Sequence, residues 1–409
     1  MRNITKAVTL SAVLTIILFT SQVFAGGLLD EEICAKDNSA FAVDLYQKLC
    51  ESDGNIFFSP YSISTALAMT YAGARGNTEK QMAKTLKFSL GQKKLHAAFA
   101  VIESSLKALS KAGDVKLSVA NSLWPQSGYK FLDAYTSQIK KHYGVIITPV
   151  NYKSAPKAAR KTINKWVEEK TQAKIKNLIP PNLLDSLTRL VLVNAIYFKG
   201  NWKSQFEASQ TKDAPFYVTA KKTVQAPTMS QKHKFGYAET KSLQVLELPY
   251  LGSDLSMILL LPKKTDGLKQ LESDLTVENL KSWTGRLREK KVKVFLPKFK
   301  MTSMFDLSKT LKAMGMPDAF NRSKADFSGM DGKPAWLYIA AVLHKAFVEV
   351  NEKGTEAAAA TAVVMKGRSK AAAPPTFRAD HPFIFLITEI RTGSILFMGR
   401  VTDPTKTGE

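Results

Sequence analysis

The chain has 409 residues, 45% hydrophobic and 23% charged, enough for a large core and incompatible with intrinsic disorder. Its formal net charge of +23 attracts polyanions and acidic surfaces, yet no RNA- or DNA-binding motif accompanies it, so specific nucleic-acid recognition is not expected. Two cysteines and five histidines, with no CxxC or HExxH spacing, imply no metal site and no cofactor.

The first 25 residues read as a secretory signal peptide. Arg2 and Lys6 give a positive start, and Ala7 to Phe19 is mostly apolar but too short to span a bilayer. Val23-Phe24-Ala25 is a small-x-small cleavage site. The expected mature protein, 26–409, is secreted (extracellular or periplasmic) and free of the membrane. No Pro/Gly/Ser linker, composition break or internal repeat divides it.

Apolar spacing predicts helices over 38–49, 63–71, 95–109, 135–142 and 155–171. The first lies between Cys34 and Cys50. A helix of that length holds its ends roughly 15–20 Å apart, so two free thiols and no intrachain bridge are expected. Lys157, Arg160, Lys161 and Lys165 share the last of these helices. A solvated face is the leading reading there, with polyanion contact the alternative.

Leu190–Phe198 is a nearly unbroken apolar run and reads as a strand buried on both faces. Leu255–Leu261 reads the same way, and Val292–Phe299 alternates imperfectly. Ile384–Glu389 and Ser394–Val401 flank Ile390-Arg391-Thr392-Gly393, a hairpin signal. Helices first and strands later predict an α+β organisation. Asn321-Arg322-Ser323 is a glycosylation sequon. No GxSxG elbow, P-loop or catalytic Cys/His pattern appears, so an enzyme is not expected.

The most informative stretch runs from Glu352 through Gly354, Thr355, Glu356, Ala357, Ala358, Ala359, Ala360 and Thr361 to Arg368-Ser369. Read with period two, Thr355, Ala357, Ala359, Thr361, Val363 and Met365 form one small or apolar face. Glu356 and Lys366 fall on the other. The stretch is suited to a loop that later becomes a strand.

Val348 to Ala359 closely resembles the hinge of the reactive-centre loop of serpins. Asn55-Ile56-Phe57-Phe58-Ser59-Pro60, Val193-Asn194-Ala195-Ile196-Tyr197-Phe198, His381-Pro382-Phe383 and Leu396-Phe397-Met398-Gly399-Arg400 resemble further serpin motifs, in family order. The resemblance implies one large domain, with helices packed on three β-sheets and an exposed loop over about 352–376. It implies a monomeric, irreversible suicide-substrate inhibitor of serine proteases, and a heparin-like polyanion as a further candidate partner. The family's scissile bond, counted from Glu352, falls at Arg368-Ser369. Arg368 suits the aspartate-based pocket of trypsin-like enzymes. After cleavage, 355–366 would insert into the main sheet. The resemblance assigns a gate to Ser59, Ser62, Asn194 and His344, and a pairing of Lys298 with Glu352 beside Trp202 at the loop's start. The alternative is a non-inhibitory carrier, storage or chaperone-like protein of the same fold. The small, uncharged inward residues of the hinge favour the inhibitor.

Overall fold

The helices follow the apolar spacing of the sequence. In the computed structural model, which describes residues 30–112, 115–145, 147–355 and 373–408, α1 covers 30–49. It starts earlier than expected and contains Cys34. Both cysteines are unpaired, Cys34 buried and Cys50 half-buried. Next come α2 (Pro60–Tyr71), α3 (Gly76–Thr85), α4 (Gln92–Ala112), α5 (Asp133–Tyr143) and α6 (Pro156–Lys170). Pro60 opens α2 where its missing N–H costs nothing, and the Ser59 hydroxyl accepts from the Ser62 N–H as cap. Every residue of α2 is buried, so this helix is a central rod rather than a surface element.

The strands are β1 (Ile56–Phe58), β2 (Val115–Pro125), β3 (Leu190–Asn201), β4 (Lys212–Thr219), β5 (Lys222–Glu239), β6 (Leu243–Pro249) and β7 (Leu255–Pro262). They continue with β8 (Arg288–Pro297), β9 (Phe299–Asp306), β10 (Ile339–Asn351), β11 (Gly354–Thr355), β12 (Thr376–Arg378), β13 (Phe383–Glu389) and β14 (Ile395–Val401). One sheet runs β2-β3-β11-β10-β9. The other runs β1-β14-β13-β7-β6-β5-β8-β12, with β4 on β5. Two limbs share β5: residues 236–239 pair with β6, whereas 222–228 pair with β4. Counted as limbs, the expected three sheets are present; by hydrogen bonding, two of them are continuous through β5.

The expected single strand over 292–299 needs correction. It breaks at Lys298, and β8 and β9 belong to different sheets. Pro297 has no N–H to continue the ladder, and the Lys298 N–H turns to Pro227 O at 2.7 Å.

Strand β3 is buried on both faces, as its apolar run predicted. Leu192, Ile196 and Phe198 join the main core, while Val191, Val193, Ala195 and Tyr197 join a second core with Ala159, Ile163 and Val167 of α6. Helix α6 therefore covers one face of the five-stranded sheet. Among the described residues no helix is long and apolar enough to cross a membrane, and no cluster of three metal-ligating side chains occurs.

Candidate functional site

Register alone builds a polar row across the five-stranded sheet. Asn121 of β2 faces Asn194 of β3, and Asn194 faces His344 of β10. Ser59 and Ser62, at the start of α2, complete the cluster. Asn194 Nδ2 donates to Ser62 Oγ and to Asn121 Oδ1. Ser62 Oγ donates to Asn121 Oδ1 at 3.1 Å, and Ser59 Oγ donates to Leu396 O at 2.6 Å. The four residues named from the sequence thus come together. Asn121 was missed, because the strand that carries it has no clean period and only the β2–β3 register brings it into line.

His344 is fully buried, and its partners fix its tautomer. Asn194 Oδ1 can only accept, so Nδ1 carries the proton; Nε2 accepts the Ser59 N–H at 3.1 Å. Burial holds its pKa at about 3, and burial with the neighbouring His142 holds that of His96 at about 4. Both histidines stay neutral in the fold but take up protons near pH 6.5 once unfolded. The unfolded state therefore binds more protons as pH falls below about 6.5. Stability is present in full above that value and is lost toward pH 4 at about 1.4 kcal/mol per pH unit per histidine. His344→Gln is expected to flatten this acid slope by about half, read from thermal midpoints between pH 7 and pH 4.5.

The loop's start is already inside the sheet. Gly354 and Thr355 form β11, antiparallel both to β3 (Gly200, Asn201) and to β10 (Val350, Asn351). The approach is close enough to need two glycines. A Cβ on Gly354 would sit 2.0 Å from Gly200 O, and one on Gly200 would sit 2.9 Å from the Phe198 and Tyr250 rings. Thr355 is fully buried, and its hydroxyl bonds the Tyr250 hydroxyl at 2.8 Å. Tyr250 in turn stacks on Trp202 at 4.7 Å.

Trp202 clamps the turn, donating from its indole to Asn351 O at 3.0 Å and from its backbone to Lys353 O at 2.8 Å. Lys298 Nζ meets Glu352 at 3.0 Å, and Thr211 Oγ1 adds a bond of 2.8 Å. Burial opposes ionisation of Glu352, but hydrogen bonds from its own backbone, Lys298 and Thr211 outweigh this and lower its pKa. The carboxylate is mostly shielded, so this pair is not the fully exposed kind that contributes little.

Glu356, Ala357, Ala358, Ala359, Ala360, Thr361, Arg368, Ser369 and the 1–25 segment lie outside the described residues. On α6, Lys157, Lys161 and Lys165 are exposed. Arg160 instead donates to Ile179 O at 3.2 Å, and Lys165 lies 3.9 Å from Glu169. The row of four is therefore not one open basic face.

A family model described as serpin (serine protease inhibitor) matches residues 36–404. The leukocyte elastase inhibitor A of Rattus norvegicus is 44% identical over 377 residues, 90% of this chain and 98% of the relative. The leukocyte elastase inhibitor of Homo sapiens is 43% identical with the same coverage. Among solved structures, uncleaved ovalbumin matches with a TM-score of 0.82 at 34% identity, covering 91% of this chain and all of that one. Human thyroxine-binding globulin matches with a TM-score of 0.83 at 32% identity, covering 92% of this chain and all of that one.

Proposed function

This chain belongs to the serpin family, and from that premise we propose that it is an irreversible suicide-substrate inhibitor of trypsin-like serine proteases, cleaved at Arg368-Ser369. Its fold is the serpin fold. The family is described as one of serine protease inhibitors rather than enzymes. Missing motifs decide nothing on that point; the family match does.

The observation that carries the proposal is the position of Thr355. The protease serine attacks the Arg368 carbonyl carbon, the bond to Ser369 breaks, and the new Ser369 amine leaves with a proton from the protease histidine. An acyl-enzyme remains on Arg368. Loop insertion, the general serpin switch, then competes with hydrolysis. Strands β3 and β10 are parallel along Leu190–Tyr197 and Ile339–Phe347. A strand continuing from β11 would be antiparallel to both, replacing one parallel ladder by two antiparallel ones, which are slightly more stable per residue.

Extended without a slip, the register of β11 fixes where each inserted residue would fall. Ala357 would fall between Phe198 and Val348, Ala359 between Ile196 and Ala346, and Thr361 between Asn194 and His344. On the other face Ala358 would fall between Tyr197 and Phe347, whose rings are 6.0 Å apart. Small residues stand where bulk would block entry. The Asn194–His344 bond must open, and the Thr361 hydroxyl can restore a partner to each side without burying a charge. Twelve residues at about 3.3 Å each carry the attached protease roughly 40 Å, and distortion of its catalytic groups traps the acyl bond.

Residues 1–25 are proposed to direct export, and the mature protein is proposed to act as a monomer. Polyanion contact along Lys157, Arg160, Lys161 and Lys165 is a secondary part of the proposal, narrowed by the engagement of Arg160. The relatives' printed names support a second reading of specificity. An elastase has a small pocket, and Ala362-Val363-Val364 would suit one. The test is a denaturing gel after mixing with trypsin. A band at the summed mass, with release of a peptide beginning at Ser369, is expected. A merely nicked chain would favour a non-inhibitory serpin, and a covalent band formed with an elastase in place of trypsin, with a released peptide beginning at Val364 or Met365, would favour the elastase reading.

A further inference from the structure

The pairing of β5 with β8 sets Lys232 directly opposite Lys293 and Lys234 directly opposite Lys291, all four exposed. Directly opposed residues share a sheet face with Cβ atoms about 4.5–5.5 Å apart, and like charges so placed weaken the ladder. Arg378 of β12 extends the face, lying 3.6 Å from the centroid of the Phe295 ring, with Lys293 Nζ 4.9 Å from the same centroid. Successive rows on one face are about 7 Å apart. Five cations therefore crowd a small area. Of the four lysines, Lys234 alone forms an ion pair among the described residues, with Glu289 at 2.8 Å. Glu289 and Glu247 both flank Gly236, at one end of the stripe. The two opposed lysine pairs weaken the ladder that carries them, which points to a benefit in what the face meets.

Its location identifies the partner. The Lys293 N–H donates to Pro375 O at 2.9 Å, and Gln244 Nε2 donates to Thr376 O at 3.0 Å. The stripe is thus tied to the arm by which the loop returns to the body. Arg368 and Pro375 can be no more than about 25 Å apart, and a globular protease is wider than that. An enzyme engaged at Arg368 is therefore tethered within reach of the stripe.

We propose that the Lys232/Lys293–Lys234/Lys291 face, with Arg378, is a second contact surface for the target protease. It selects, among trypsin-like enzymes, those whose surface beside the active-site cleft is acidic. This inference rests on Arg368 as the bait. An opposed field steers encounter and raises the association rate, most strongly at low salt. A sulfated polysaccharide is the rival occupant. Two short rows beside the loop suit a protease rim better than an extended chain.

The test compares Lys232→Gln/Lys293→Gln with Lys80→Gln/Lys84→Gln, which removes the same charge from exposed positions on α3. Association rates are measured across a salt series with two trypsin-like proteases, one acidic beside its cleft and one neutral there. For the acidic protease at low salt, the β5/β8 variant should lose about tenfold in rate, with a flatter salt dependence. The α3 variant should stay within about twofold. The stoichiometry of inhibition and the thermal midpoint should not fall, because a repulsive pair has been removed. Equal losses in both variants, or no loss in the β5/β8 variant, would overturn the proposal. So would an unchanged rate with reduced retention on a sulfated polysaccharide column, which would assign the stripe to a polyanion. If the wild-type chain formed no covalent complex with either protease, the bait reading would fall as well, and the wild-type lane alone would reveal it.

Discussion

Thr355→Arg is expected to turn the inhibitor into a substrate. The wild-type hydroxyl is fully buried between β3 and β10 and bonds Tyr250, which stacks on Trp202. A guanidinium there would meet two aromatic rings and two backbones, with no carboxylate directly bonded to the Thr355 side chain it replaces. Burying an unpaired charge costs several kcal/mol, and each 1.4 kcal/mol shifts a rate ratio tenfold. Trapping depends on insertion outrunning hydrolysis of the acyl bond. The variant should therefore still be cut at Arg368-Ser369, while its stoichiometry of inhibition rises about a hundredfold or more. Thr355→Ser, which keeps the hydroxyl, should behave almost as wild type. A Thr355→Arg chain that formed covalent complex at wild-type efficiency would refute the insertion account.

Much of this site was legible because local chemistry and family motifs coincide. The alternation from Thr355 to Met365 marks a strand before any sheet is known, and the apolar run at 190–198 marks a strand with two buried faces. Other features depend on partners distant in the chain. Asn121 entered the polar row only through its register with Asn194, and the lysine pairs of β5 and β8 arise from residues about sixty positions apart. The break at Lys298 separates two strands that the local pattern joins, because their ladders lie in different sheets. Charge counting along α6 overlooked that Arg160 turns back to Ile179 O.

Cutting the chain at Arg368-Ser369 is expected to raise its thermal midpoint by at least about 10 °C. Insertion breaks the parallel pairing of eight residues on each strand and forms two antiparallel ladders of similar length. Each net hydrogen bond contributes about 0.5–1.5 kcal/mol. Val363 would come to lie between Leu192 and Val342, and with Met365 it adds about 1.5–3 kcal/mol per side chain. Together these terms reach the order of 10 kcal/mol. For a chain of this length that corresponds to roughly 1 °C per kcal/mol. Thr355→Arg cut at the same bond should show a much smaller rise, because its loop is stopped at the first buried position.

Solving the structure of the nicked wild-type protein is the most direct check on whether the uncut fold stores this energy. Segment 355–366 should appear as a lengthened β11 running between β3 and β10, with the Thr361 side chain seated between Asn194 and His344. A nicked chain whose β3–β10 ladder remained closed, with that segment lying outside the sheet, would contradict the account.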